Sequence, residues 1–446
     1  MDATLRQPVA MPRTFAAAPD RRESILRVNV AAVFVYLLFI PQQFNITIAT
    51  IYLSPFRVYL LGATIYILSS AVRRSLRFAW PDLCIVLAVA WIWIASVVTS
   101  GSMATGAVMG GSHLVDIGLA YFLARATIQT PDDLRRLLIL IFPVVAITGA
   151  IIAAEALSRT YLLQPLASAV TGQPMPLSYE IRKGLLRGSA SFPHPILAGI
   201  VMASFLSLYF LSGIRSWPRI LGVAAAIMGM FSMSSAAMLG VVIGGLLVAY
   251  EKVSERVSNL TWRLFLFFAA VLYIVIEFTS KSGFYSVLIR YASLNTGSAY
   301  NRILIWNYGT ANIKRHPWFG IGYGDWERPD WMHWSTFDHY WLINPLRFGI
   351  PAGVLLLGAT LIAIIMVMLN SRRLPPVDAR LLRGVAISTA VFALGLNSVS
   401  LWLAALAWFY VLVGIAVSLG SHAPERQPTF APVRPFANPR LIPASI

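Results

Sequence analysis

The feature that most constrains this chain is a series of apolar runs that recur between residues 28 and 419. A transmembrane helix needs about 20 predominantly apolar residues, and most of these runs reach or approach that length. Of the 446 residues, 58% are hydrophobic and only 12% are charged, which is more apolar surface than a soluble chain of this length can bury. The sequence therefore predicts an all-α integral membrane protein.

We assign about twelve transmembrane helices to these runs. They are Val28–Ile40, Ile46–Ser70, Leu83–Thr99, Gly106–Leu123, Leu137–Leu157, Pro195–Leu211, Ile220–Met233, Ala236–Tyr250, Leu264–Phe278, Phe348–Leu369, Val385–Asn397 and Leu401–Leu419. If the amino terminus is cytoplasmic, every short basic loop falls on the cytoplasmic side, as the positive-inside bias requires. The residues concerned are Arg73, Arg74, Arg77, Arg125, Arg135, Arg136, Arg215, Arg219, Lys252, Arg256, Arg263, Arg372, Arg373, Arg380 and Arg383. Both termini are then predicted to be cytoplasmic.

This orientation divides the chain into a cytoplasmic tail (1–27), one polytopic membrane domain (28–420) and a Pro-rich cytoplasmic tail (421–446). Two long loops, about 158–194 and 281–347, lie on the non-cytoplasmic side. Both carry basic residues, which long loops do in spite of the charge bias. They are the large polar surfaces on which chemistry is expected.

The formal net charge of +17 does not indicate nucleic-acid binding, because the cations collect in loops beside anionic headgroups and form no basic, aromatic face. Cys84 is the only cysteine, so neither an intramolecular disulfide nor a cysteine metal cage is possible. Asp325, Glu327 and Asp330 cluster with Arg328 among them, and metal binding there is the less favoured interpretation. We predict no metal and no cofactor.

Ionisable residues in apolar runs raise a functional question by default. His113 and Asp116 stand three residues apart on one helix face, and we expect them to satisfy each other. Arg57 either extends to the membrane interface or points into a polar cavity. Glu155 and Glu277 fall at outer helix ends, where we expect both to be solvated.

Two further features have structural interpretations. Gly320, Gly322 and Gly324 form G-x-G-x-G, but no strand–turn–helix unit surrounds them. We therefore predict a turn packed tightly against a ligand or a helix end rather than a nucleotide site. His194, between two prolines, is predicted to form a rigid turn that enters a helix.

Three motifs occur in order along the chain. They are RGSASFPHPILAG (187–199), NRILIWNYGTANIKRHPWFGIGYG (301–324) and DHYWLINPLRFGIPAG (338–353). Together they resemble the motifs of the O-antigen ligase and polymerase superfamily, and with the helix count and the two long loops the resemblance extends over most of the chain. It implies a GT-C-like architecture in the bacterial inner membrane. It also implies a substrate, a glycan on a polyprenyl diphosphate that is passed to an acceptor hydroxyl outside that membrane.

The sequence departs from the family pattern at two positions. In the ligases the third motif begins with a His that is regarded as catalytic, whereas Asp338 followed by His339 stands here, a form closer to the polysaccharide polymerases. The family's Ser-Arg-Gly at the outer start of a helix is replaced by SSAAMLG, with Ser235 where the Arg would stand.

The resemblance also implies roles for individual residues. A leaving diphosphate is stabilised best by guanidinium groups, which bind phosphate oxygens in pairs; Arg187 and Arg302 are the first candidates. The reserve candidates are Arg290, Lys314 and Arg315. The acceptor hydroxyl needs a base, and Asp338 or His339 fits; His333 is weaker. Trp306 and its aromatic neighbours either stack on sugar rings or belong to an interfacial aromatic belt.

The leading hypothesis is a metal-independent glycosyltransferase that polymerises lipid-linked repeat units of an exopolysaccharide or O-antigen. A ligase that transfers glycan to a lipid core or a protein is the alternative within the family. A polysaccharide flippase is the alternative of another class, although a transporter is expected to have repeat-related halves and polar residues at mid-membrane. The expected partners are the lipid-linked glycan, the bilayer, and chain-length regulator and flippase proteins.

Overall fold

The computed structural model describes residues 21–48, 51–72, 76–175, 177–280, 283–292 and 296–422. These residues are mostly helical. Arg73 and Arg74, and most of the two predicted tails, lie outside the described residues.

The first half of the chain contains seven helices and four short strands. The elements are α1 (Arg21–Leu38), β1 (Ile46–Ile48), β2 (Ile51–Leu53), α2 (Pro55–Val72), α3 (Trp80–Thr99), α4 (Met103–His113), a π-helical turn (Leu114–Leu119), α5 (Ala120–Thr127), α6 (Pro131–Ser158), α7 (Leu163–Thr171), β3 (Ile181–Arg182) and β4 (Leu185–Leu186). The two strand pairs, β1–β2 and β3–β4, are antiparallel hairpins.

The second half is helical in its described elements. They are α8 (Pro195–Phe210), α9 (Trp217–Met228), a 3-10 turn (Gly229–Ser232), α10 (Ser235–Ser254), α11 (Trp262–Thr279), α12 (Gly283–Ala292), α13 (Thr296–Arg315), α14 (Tyr340–Phe348), α15 (Ile350–Ser371), α16 (Pro376–Gly395) and α17 (Leu403–Gly420).

Eight segments of the described structure are long and apolar enough to cross a membrane: α2, α3, the continuous segment Met103–Thr127, α6, α10, α11, α15 and α17. Two more, α8 and Trp217–Ser232, are apolar but shorter. The predicted runs Val28–Ile40 and Val385–Asn397 fall on α1 and α16, which are not among these ten. The helices thus support a multipass membrane protein, and eight of the twelve expected spans meet this measure.

The prediction of one continuous run over Ile46–Ser70 is wrong in its first third. Ile46–Ile48 pairs with Ile51–Leu53 as a hairpin, and α2 begins only at Pro55. β-branched side chains favour an extended backbone. Proline is well suited to the first position of a helix, where its missing N–H has no partner to lose. The apolar run is therefore interrupted by a change of backbone conformation that hydropathy does not reveal.

Helix α17 is the centre of the fold, and all its residues from Ala405 to Leu419 are buried. Small residues allow this close packing, since a Cβ on Gly414 would lie 2.6 Å from the backbone oxygen of Tyr121. α8 is almost as completely buried. Helices that are apolar on all sides need such surroundings, and they fix the positions of the helix ends around them.

The bundle has two distinct polar ends. At one end, Asp133 at the start of α6 accepts a hydrogen bond from Ser24 at 2.7 Å, and Arg383 of α16 pairs with Glu251 near the end of α10 at 2.6 Å. We call this the basic end. The end of α6 with Glu155 and the start of α10 with Ser235 lie opposite, and we call that the loop end.

Candidate active site

The hairpin β3–β4 at the loop end sets the position of Arg187. Lys183 and Gly184 form its turn, with φ of 49° and 81°. Positive φ at two central residues matches the twist of a tight hairpin. The turn places Glu180 opposite Arg187, whose backbone N–H donates to the Glu180 carbonyl at 3.1 Å. The side chains also pair, with Arg187 Nη1 to Glu180 Oε2 at 2.5 Å.

Glu155 holds the segment that follows Arg187. Its carboxylate is fully buried and accepts the backbone N–H groups of Ser189 and Ala190, each at 2.9 Å. It also accepts the N–H of Leu162 at 3.1 Å. The expectation of a solvated Glu155 is therefore wrong: a buried carboxylate is retained because several donors satisfy it. Glu155 ties the Arg187 loop to the end of α6.

His194 begins helix α8, as predicted for a rigid turn. Its Nδ1 accepts the N–H of Ile196 at 3.1 Å, which caps the helix. Burial, together with the charge of Arg187, lowers the pKa of His194 to about 4, so the ring is neutral near pH 7. The start of α8 and the start of α10 at Ser235 both border one cavity.

This cavity, which we call the arginine cavity, has a volume of about 320 Å³. It is lined by Glu180, Arg182, Arg187, His194, Ile196, Ser234, Ser235, Asn301, Arg302, Thr336, Asp338, Val399, Ser400 and Trp402. Three residues predicted from three separate motifs, Arg187, Arg302 and Asp338, therefore meet in one space. Arg187 and Asp338 are 151 positions apart in the sequence.

Arg187 is the most deeply placed of these cations, with only 2% of its surface exposed. Its Nη1 is bonded to Glu180, whereas Nε and Nη2 are buried without a hydrogen-bond partner among the described residues. A buried guanidinium with unused donors is costly unless a ligand binds it. Two helix N-termini at the same cavity add positive potential. The arrangement fits a multiply charged anion such as a diphosphate.

The charged groups that line the cavity change one another's pKa values. Burial alone raises the pKa of Glu180, but the hydrogen bond and charge of Arg187 and the charge of Arg182 outweigh it and keep the pKa low. Burial and the repulsion of Arg187 and Arg302 lower the pKa of Arg182. Crowded guanidinium groups are the electrostatic condition under which an added anion is favoured.

Asp338 faces the cavity with a carboxylate that makes no hydrogen bond or ion pair among the described residues. Burial raises its pKa, against the opposing charges of Arg302 and Arg187. His339 instead caps helix α14, because its Nδ1 accepts the N–H of Leu342 at 3.3 Å. Burial lowers the pKa of His339 to about 3. Of the two predicted bases, Asp338 is the one in the described cavity lining.

The other predicted residues occupy different places. Trp306 lies one turn after Arg302 on α13, with its ring centroid 5.7 Å from that of His339. Arg315 is exposed and pairs with Glu327, and the structure does not bring it to the arginine cavity. Arg290 belongs to α12, but its side chain lies outside the described part of the structure.

Sequence reasoning missed several residues of the cavity. Glu180 and Arg182 were not singled out, although the Lys183-Gly184 turn signal between two short apolar stretches indicates the hairpin that carries them. Ser400 and Trp402 were missed as well. They come from the α16–α17 connection, for which we find no local signal.

A second and larger space, about 700 Å³, adjoins the first; we call it the aromatic cavity. The two cavities share Thr336, Asp338, Ser400 and Trp402. Asp338 therefore stands between them. The remaining lining of the aromatic cavity is His113, Ile321, Tyr323, Gly324, Asp325, Trp326, Ser335, Phe337, Tyr340, Ile343, Asn344, Leu346, Arg347, Phe348, Leu401 and Leu406.

The expected pairing of His113 with Asp116 is wrong. Asp116 instead binds Arg57 of α2 in a bidentate contact, at 2.8 and 2.6 Å. His113 Nε2 lies 2.8 Å from the hydroxyl of Tyr323. The chain enters a π-helical turn after His113, which changes the angular relation between the two residues. A guanidinium matches the carboxylate better than the imidazole does.

The glycine motif packs against a helix end, as predicted. Gly320 and Gly322 have φ of 67° and 63°, and a Cβ on Gly320 would overlap the backbone of α14. Ile321 N–H donates to the Leu346 carbonyl and Gly322 N–H to that of Arg347, both at 2.9 Å. Residues 317–322 thus form a backbone clasp on α14, and this clasp positions Tyr323 and Arg347.

Part of the chain is similar to a known protein family. Residues 220–357 match the family model described as O-antigen ligase. The matched segment runs from α9 into α15 and contains Arg302, Trp306 and Asp338, but not Arg187. The match supports an O-antigen ligase and polymerase-like family, whose members are glycosyltransferase-like enzymes. No curated protein matches the chain.

Proposed function

We propose that this protein polymerises oligosaccharide repeat units carried on a polyprenyl diphosphate into exopolysaccharide or O-antigen. The observation that carries the proposal is the meeting of Arg187, Arg302 and Asp338 in the arginine cavity. Two cations, and a carboxylate without a hydrogen bond or ion pair among the described residues, are the groups needed to hold a diphosphate leaving group and to activate a hydroxyl.

The donor diphosphate binds in the arginine cavity. The unused Nε and Nη2 of Arg187 donate to its phosphate oxygens, and Arg182 and Arg302 add charge from two other sides. These cations stabilise the negative charge that develops as the anomeric carbon–oxygen bond breaks. We propose that the guanidinium groups take the role that a metal ion has in other glycosyltransferases, so that the reaction is independent of metal.

Asp338 acts on the acceptor. The acceptor hydroxyl oxygen forms the new bond to the anomeric carbon while its proton passes to the Asp338 carboxylate, and the polyprenyl diphosphate leaves with the electron pair of the broken bond. Its raised pKa makes Asp338 a stronger base than an exposed aspartate. His339, which caps α14 beside it, is a positioning residue in this scheme.

The proposed location is the bacterial inner membrane, with both termini cytoplasmic and the loop end facing outward. The basic end, where Arg383 pairs with Glu251, and the arginine cavity lie at opposite ends of the helices. This separation supports the proposed orientation, because basic residues favour the cytoplasmic side. A donor lipid then reaches the cavity from within the bilayer.

A ligase that transfers a finished glycan uses the same donor chemistry, and it remains the alternative within the family. Asp338 at the position of the ligase His favours the polymerase. Deletion of the gene followed by glycan analysis separates the possibilities. A polymerase predicts single repeat units accumulated on lipid, a ligase predicts full-length polymer that is left unattached, and a flippase predicts units trapped on the cytoplasmic leaflet.

Complementation of this deletion tests the residues. Arg302→Ala and Asp338→Ala are expected to abolish polymer at normal membrane levels, because one removes a diphosphate contact and the other the base. Arg315→Ala is the matched control, since Arg315 is exposed and pairs with Glu327 outside the cavity; it is expected to restore polymer. Chain-length profiles on gels provide the measurement, and an unchanged profile for Arg302→Ala or Asp338→Ala removes that residue from the site.

A further inference from the structure

We propose that the aromatic cavity is the acceptor site and that Arg347 binds an oxyanion carried by the acceptor glycan. The polymer made by this protein is then acidic near its growing junction. This inference rests on the proposed function, because it takes the arginine cavity as the donor site and Asp338 as the base.

The aromatic cavity adjoins the arginine cavity. The two cavities share Asp338 together with Thr336, Ser400 and Trp402, so Asp338 borders both spaces. A base that takes a proton from one substrate during attack on another must reach both. The arginine cavity has the cations for a diphosphate, which leaves the larger space for the acceptor.

The lining of the aromatic cavity suits a glycan. The aromatic cavity presents the rings of Tyr323, Trp326, Trp402 and Phe348 beside polar groups such as Asn344. Its volume of about 700 Å³ falls within the range of small-molecule sites, which combine apolar walls with a few placed polar groups. Mixed aromatic and polar walls suit a sugar ring, which has both apolar faces and hydroxyl edges.

Arg347 lines the aromatic cavity with a positive charge that no carboxylate among the described residues contacts. Its guanidinium lies 4.6 Å from the ring centroid of Tyr323, and no carboxylate pairs with it among the described residues. Two acidic residues line the same cavity: Asp325 is paired with Arg328 at 2.5 Å, and Asp338 forms no ion pair with Arg347 or any other described residue. Arg57, by contrast, is neutralised by Asp116. Arg347 therefore lines the cavity with a guanidinium that no carboxylate of the described residues contacts.

Several contacts of the backbone and of neighbouring side chains hold Arg347 in its position. Its carbonyl accepts the N–H of Gly322 in the backbone clasp, and Tyr323 below it is held by His113 at 2.8 Å. Cation–π attraction holds the guanidinium over the Tyr323 ring. A preorganised guanidinium recognises a carboxylate or a phosphate through two parallel hydrogen bonds.

An oxyanion on the acceptor has two possible sources, a sugar carboxylate or the diphosphate of a second lipid-linked unit. The test uses the full-length protein in lipid nanodiscs and three probes. They are an oligosaccharide that ends in glucuronate, the same oligosaccharide ending in glucose, and inorganic pyrophosphate. Binding is measured by calorimetry for the wild type and for Arg347→Gln, Arg347→Lys and Arg315→Gln.

The wild type is expected to bind the glucuronate probe more tightly than the glucose probe. Arg347→Gln should lose this preference, because its affinity for the glucuronate probe should fall by roughly 10- to 100-fold. This is the range expected for the loss of a charge-assisted hydrogen bond. Arg347→Lys should keep part of it because the charge remains, and Arg315→Gln should keep all of it. Unchanged binding of the glucose probe by Arg347→Gln excludes misfolding of that variant as the cause.

The possible results distinguish a sugar carboxylate from a diphosphate as the bound oxyanion, and they separate failure of this inference from failure of the proposed function. If Arg347→Gln weakens only pyrophosphate, the oxyanion is the second diphosphate and the acidic-polymer statement is overturned. If the glucuronate preference is absent in the wild type or survives in Arg347→Gln, the oxyanion role of Arg347 is overturned. Failure of the proposed function is a separate result, in which polymer persists in the Arg302 and Asp338 variants whatever Arg347 binds.

Discussion

Asp338 shows how position changes the chemistry of an ordinary residue. Its carboxylate stands at the shared wall of two cavities, is half-buried, and has no hydrogen bond or ion pair among the described residues. Burial raises its pKa, and the charges of Arg302 and Arg187 oppose that change. The sequence indicated Asp338 and His339 equally; the cap formed by His339 separates their roles.

The pH dependence of glycan transfer is expected to show this balance. The base must be ionised, so the rate falls as the pH drops through the pKa of Asp338. Arg302→Gln removes a charge that lowers this pKa, so the acid limb should move to higher pH. Arg302→Lys retains the charge and should leave the limb near its wild-type position. Because loss of the Arg302 charge is expected to abolish polymer in cells, the residual rate of transfer is measured across pH at high concentrations of purified protein. A limb that stays in place or moves to lower pH in Arg302→Gln contradicts the role of Asp338.

At the scale of elements, the clasp of residues 317–322 on α14 connects the second long loop to the bundle. Ile350 N–H donates to the Pro317 carbonyl at 2.7 Å, and Trp91 of α3 donates to the carbonyl of Phe348 at 3.0 Å. Gly349 has φ of 86°, and a Cβ there would overlap the Trp318 carbonyl. This glycine is therefore required both for its conformation and for its lack of a side chain.

Gly349→Ala is expected to destabilise the protein by about 1–3 kcal/mol or more, from backbone strain and overlap with Trp318. Gly358→Ala in α15 is the matched control, because no atom lies within 4 Å of a Cβ there. The control should be neutral or should stabilise α15 by up to about 1 kcal/mol. Thermal unfolding in detergent and polymer formation measure the pair. Equal effects of the two substitutions would show that the clasp does not depend on Gly349.

At the scale of the whole molecule, the separation of the two polar ends is the property on which the proposed function depends. The basic end contains the contacts between α1 and α6 and between α10 and α16, and the loop end contains both cavities. A polymerase of lipid-linked units needs the cavities on the outer side of the membrane, where the units are assembled.

Cysteine labelling in intact cells tests this arrangement. In a Cys84→Ala background, Asp330→Cys at the exposed loop end should react with a membrane-impermeant thiol reagent. Arg373→Cys, exposed after α15, should react only after the cells are opened. Protection of Asp330→Cys together with labelling of Arg373→Cys in intact cells would reverse the proposed orientation and end the proposal of an outward site.

Much of this protein follows from local features of its sequence. Each predicted apolar run overlaps a described helix, because hydropathy and helix propensity act over neighbouring residues. The motifs identified Arg187, Arg302 and Asp338 before any geometry. The turn chemistry of Gly320 and Gly322 and the helix entry at His194 were also predicted from local sequence.

Only the tertiary structure decided the partners. Asp116 pairs with Arg57, 59 residues away, rather than with His113 on the next turn. Glu155 is buried because a loop beginning more than 30 residues later brings it two N–H donors. Arg315 matches Arg302 in residue type and lies on the same helix, yet it faces out toward Glu327. The sequence by itself determined which groups are available, and packing determined which of them meet, because burial and pairing depend on distances in space that local periodicity does not encode.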